Sequence, residues 1–147
     1  MIEQITHNGV LFALIVSKNY KETGVHFFTP DDFSQQLAFI KHAAGKWIEP
    51  HVHNQAIRQV TFTKEVLFIK KGRVRVDFYT DQKEYLESRI LEGGDVILLS
   101  EGGHGFEVLE DLEMFEVKQG PYMGETDKTR FSGVAKDKIH VKNSKKS

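Results

Sequence analysis

Three histidines and one glutamate stand out by type and spacing. His51 and His53 flank a valine in Glu49-Pro-His51-Val-His53, and His104 closes Gly94-Asp-Val-Ile-Leu-Leu-Ser-Glu-Gly-Gly-His104. Between them, Glu65 lies in Thr63-Lys-Glu65-Val-Leu-Phe-Ile-Lys-Lys-Gly72. Side chains two apart on a strand share a face, so an extended His51-Val-His53 presents both imidazoles in one direction. A carboxylate from Glu65 and a third imidazole from His104, each on a later strand, would complete a set of three nitrogens and one oxygen. That set suits a divalent transition metal such as Zn, Fe, Ni or Mn. The chain has no cysteine, which excludes disulfides and thiolate ligation.

The elements that must position these groups read as short strands. Val10–Val16 is an apolar run rich in β-branched residues and predicts a buried or interface strand; Val25–Phe28 and Gln36–His42 predict two more. Thr29-Pro-Asp-Asp predicts a short helical turn, with Thr29 as its N-cap. From Val60 the pattern alternates. Thr61, Thr63, Glu65, Leu67 and Ile69 share one face, and Val60, Phe62, Lys64, Val66 and Phe68 the other. A slip of one residue would exchange the faces, and alternation alone admits both phases. Lys71-Gly72 predicts a tight turn into Arg73–Tyr79, and a further turn at Asp81 leads into Glu84–Leu91. The Gly94-Asp95 turn enters Val96–Leu99; Glu110-Asp111 reads as a turn between His104–Leu109 and Leu112–Lys118. Many short strands with frequent turns and almost no helix predict an all-β sandwich or barrel.

At 147 residues the chain fits one domain, placed at 1–131, with a Lys-rich, loosely held tail over 132–147. A net charge of −1 gives no electrostatic reason to expect nucleic acid or an anionic membrane as partner. The sequence has neither a membrane-length apolar run nor a signal-peptide pattern at Met1–Asn8, so a cytoplasmic protein is expected. The apolar Val10–Val16 segment suggests pairing of two copies, and a homodimer is expected.

These residues resemble the cupin superfamily. Gly45, His51, His53, Glu65 and Gly72 fall on its first motif, a glycine, five residues, His-x-His, a glutamate, six residues and a glycine. The interval from His53 to Glu65, eleven residues, is far longer than the family's. Gly94-Asp95, Ser100-Glu-Gly102 and His104 resemble the second motif, with Ser100 in place of proline and the histidine one residue early. The resemblance covers roughly residues 36–118 and implies a double-stranded β-helix, or jelly-roll barrel. It implies a metal held by His51, His53, Glu65 and His104, and its Glu65–Gly72 interval favours the phase that turns Glu65 inward.

The residues between His53 and Glu65 must leave the sheet and return, and a loop there can lean over the pocket. Gln55 and Arg58 are then candidates for orienting substrate, since a guanidinium offers paired donors to carboxylate or phosphate; an exposed loop arginine is the competing reading. The function expected is a metal-dependent enzyme acting on a small polar or anionic molecule, with a sugar-related substrate a fainter resemblance. The alternatives are a non-catalytic module holding a small sugar or carboxylate, with a structural metal or none, and a metal-free isomerase using a histidine as proton shuttle.

Overall fold

A computed structural model describes residues 1–142 and shows an all-β protein. Its strands are β1 (Ile2–His7), β2 (Val10–Val16), β3 (Gly24–Phe27), β4 (Ala38–Lys41), β5 (Glu65–Tyr79), β6 (Tyr85–Glu92), β7 (Val96–Leu99) and β8 (Gly103–Lys118). Two 3₁₀ turns, Gly124–Asp127 and Lys136–Lys138, supply the helix. No helix among the described residues is long and apolar enough to cross a membrane.

Six strands form one antiparallel sheet in the order β1-β2-β7-β5-β6, with β8 on β5. β8 follows β5 from Glu65↔Lys118 to Tyr79↔Gly103. On its other edge β5 is shared, pairing β7 through Glu65–Phe68 and β6 through Arg73–Tyr79. The sheet therefore curls. Its two ends meet through a side chain, because Arg89 of β6 donates from Nε to Glu3 Oε1 of β1 at 2.6 Å.

Bulges between Ile69 and Val74 make the curl possible. Leu67 and Ile69 are buried on one side of them, and Val74, Val76 and Phe78 on the other. The core-facing positions thus change from odd to even, as an irregular pairing at this point requires. Gly72 stands at the corner with φ +87°, and a Cβ there would fall 2.1 Å from Asp111 O. Only glycine tolerates both conditions. Lys71-Gly72 and Glu110-Asp111 were expected to reverse the chain; instead they lie across from one another and bend two continuous strands together.

Inside the curl, Ile5, Phe12, Ala13, Ile15, Leu91, Ile97 and Leu99 join the β5 residues in one core. A second cluster lies on the outer face. There Leu14, Val16 and Leu98 are covered by Tyr20, Phe28, Phe33 and Leu37 from around the separate β3–β4 hairpin. Both faces of β2 are therefore buried within one chain, and this accounts for its apolar sequence without a second copy. Asp95 fastens the turn before β7, its two oxygens accepting from Lys18 N and Glu92 N at 2.9 Å each.

Three expected elements differ. Residues 30–37 carry no helix: Thr29 Oγ1 donates to Gln36 Oε1 and accepts from Leu37 N, closing a compact loop instead. Residues 42–64 contain no strand, so His51, Val52 and His53 lie in irregular chain and β5 begins only at Glu65. The expected loose tail is docked as far as Lys142: Ser88 N donates to His140 O and Lys142 N to Ser88 O, both at 3.0 Å. Residues 143–147 of that expectation lie outside the described residues.

Candidate functional site

Glu65 begins β5 in phase with Leu67 and Ile69, so its carboxylate turns toward the concave side of the sheet. His104 is the second residue of β8 and is laddered opposite Phe78, a buried core residue. A straight strand from position 65 to 78 would run about 43 Å. Because the β5–β8 ribbon is folded over at Gly72, the two side chains meet: His104 Nε2 is 3.2 Å from Glu65 Oε2. Both are largely withdrawn from solvent, at 28% and 15% side-chain exposure.

Two residues that the sequence reading did not single out extend this pair. Lys118, Glu65's partner in the ladder, places Nζ 3.7 Å from Glu65 Oε1 and 3.4 Å from Asp127 Oδ2. Asp127 also accepts from Thr63 Oγ1 at 2.9 Å. The hydrogen bond with His104 holds the Glu65 carboxyl below its ordinary range; burial opposes this, and the charges of His104, Lys118 and Lys128 add to the lowering. Lys118 is shifted upward, the pull of Glu65 and Asp127 outweighing desolvation. Its role could be found only from the β5–β8 register, which the sequence does not display.

These groups line an open cleft of about 840 Å³. Phe62 and Phe106 contribute apolar surface, and Lys128 and Arg130 bring further cations. The size falls within the ~300–1,000 Å³ of small-molecule sites. Asp77 also lines the cleft, buried at the end of a polar cluster in which Arg75 and Ser88 both donate to it. Burial pushes the Asp77 carboxyl up, and those two donors outweigh it and hold it down.

The structure brings together two of the four sequence-predicted metal ligands, Glu65 and His104. His51 and His53 stand beside each other, ring centroids 5.3 Å apart and nearly perpendicular, but on the exposed 42–64 segment and away from the cleft lining. Among the described residues, no three His, Asp or Glu side chains converge as a metal-holding group. By type the four donors fit a transition metal; within one chain they stand as two separate pairs. Gln55 and Arg58 do not lean over the cleft. They border a shallow concavity of their own with Asn54, Ala56 and Ile57, where Arg58 Nη1 donates to the nearby Ala56 carbonyl.

Comparison with protein-family models, with curated proteins and with solved structures returns no match.

Proposed function

We propose that the cleft binds a small polar or anionic molecule, and that Glu65 and His104 are its working pair and two of the donors to a divalent transition metal. The observation that carries this reading is the 3.2 Å contact between Glu65 and His104, residues that the fold bends together from the two ends of one ribbon. A lowered carboxyl and an imidazole offer one oxygen and one nitrogen at bonding distance from a common point, the donor chemistry of Zn, Fe, Ni or Mn sites. The resemblance to cupins in Gly45, His51, His53, Glu65, Gly72 and His104 supports the same donor set. When bound, such an ion supplies Lewis acidity. The chain's own part is to orient the ligand against Phe62 and Phe106 and to balance its charge with Lys118.

Titration of apo protein with Zn²⁺ or Co²⁺, followed by elemental analysis, tests this. Wild type should hold metal, while Glu65→Gln and His104→Ala should each bind it at least ~10-fold more weakly. Equal metal content in all three proteins would overturn the assignment.

The direct contact of His104 Nε2 with a carboxylate favours one second reading, a metal-free proton shuttle in which Glu65 orients the imidazole. Ligand binding and turnover that survive chelation, yet are lost in His104→Ala, would select it.

A further inference from the structure

Residues 42–64 are a long segment without strand or helix; such segments inside small domains are uncommon and serve mostly as lids, binding loops or linkers. Within it the apolar side chains of Trp47, Ile48, Val52 and Ile57 stand open to solvent, with Val52 at 88% and Ile57 at 104%. Gathered onto one surface of a partner, these side chains would form an apolar patch of the kind that marks an interaction site.

The body of the molecule offers a matching place. β8 is a 16-residue strand that pairs only with β5, so its other edge has no ladder partner among the described residues. Near its end, Phe115 and Val117 lie on the outer face at 63% and 62% exposure, while Glu116 and Lys118 face the cleft. A long, exposed, partly apolar edge is what proteins usually cover. An extended His51-Val52-His53 laid along it would send Val52 to one face and both imidazoles to the other. With Val52 on the side of Phe115 and Val117, His51 and His53 enter the cleft that holds Glu65 and His104.

We infer that the 42–64 segment adds as a strand to the β8 edge of a second copy of this chain, so that His51 and His53 of one copy complete the Glu65–His104 site of the other. This rests on the metal reading proposed above. The area is sufficient. With ~150–250 Å² for an aromatic side chain and ~60–120 Å² for an aliphatic one, Trp47, Ile48, Val52 and Ile57 of one arm present roughly 400 Å². A two-fold arrangement uses two arms and the two surfaces that receive them, which passes the ~1,200 Å² of a specific interface. The same contact made twice closes the pair.

The chain contains no cysteine, so cross-links can be placed at will. One preparation carries Val52→Cys and a second, on a longer tagged chain, carries Val117→Cys. Mixing under mild oxidation should give a disulfide between the two sizes of chain, and light scattering of wild type should give the mass of two. The metal test mixes His51→Ala/His53→Ala chains with His104→Ala chains. Each alone should lose tight Co²⁺ binding, and their heterodimer should regain one of the two sites, half of the wild-type content. A single-chain mass, or the absence of the mixed disulfide, would overturn the exchange. So would wild type that binds metal with no recovery in the mixture; the site would then be built within one chain and the metal reading would stand. Wild type that binds no Co²⁺ but forms the mixed disulfide would remove the metal reading and the shared site together.

Discussion

Arg89 joins Glu3 across the open ends of the sheet, and the same guanidinium reaches Glu87 from Nη2 at 3.3 Å. The Arg89 side chain is only 7% exposed. It is a buried cation between two carboxylates, and it ties the first strand to the sixth.

Removing that cation leaves both acids without their shared partner. Arg89→Met should lower unfolding free energy by about 3 kcal/mol, the usual cost of breaking a buried pair from one side. Urea denaturation at neutral pH measures it. Glu87 is held below its ordinary range by Lys142 and Arg89 against the opposing effect of burial, so the variant should also lose stability less steeply in acid.

Glu65 has the same sign. A carboxyl depressed in the folded state stabilises above its unfolded pKa, and this contribution is lost as pH falls through the folded value. Wild type should therefore weaken from the ordinary glutamate range downward, and Glu65→Gln should show a shallower acid limb. Thermal melts between pH 7 and pH 3 compare the two slopes.

Lys118 lies beside Glu65 and Asp127 and helps keep Glu65 ionised. In Lys118→Met the titration of Glu65, followed by carboxyl carbon chemical shift, should move upward toward the ordinary value. An unchanged titration would show that Lys118 has no part in setting it.

At the ribbon's corner, Gly72→Ala adds a methyl 2.1 Å from a backbone oxygen at positive φ. The variant should lose about 3 kcal/mol or more. Gly120→Ala, whose added Cβ meets nothing within 4 Å, is the control and should lose far less.

Much of the sheet was legible in the sequence. Alternation located β5, turn residues bounded β6, β7 and both halves of β8, and the phase shared by Glu65, Leu67 and Ile69 is the phase the structure adopts. What could not be read was how signals combine over distance. Gly72 and Glu110-Asp111 have turn chemistry, and only their placement opposite each other shows that they bend the strands rather than reverse them. Val10–Val16 looked like an interface because a strand buried on both faces and a strand awaiting a partner share one composition. Lys118 and Asp127 gave no local signal, since their place beside Glu65 follows from a pairing between residues far apart in the chain. Residues 60–64 alternate well enough for a strand, but β7 and β8 both begin pairing with β5 at Glu65.

The docked segment before Lys142 has a consequence for assembly. Val141 bridges to Ser88, and Tyr85 Oη accepts from His140 N at 2.8 Å, so part of the outer side of β6 is sealed by the chain's own later residues. A protein cut after residue 131 would bare that side of β6 while the β8 edge stays covered by the partner's arm. Each closed pair would then carry two newly exposed β6 borders, and such a fragment should associate further, pair to pair, where the longer chain stops at a closed unit.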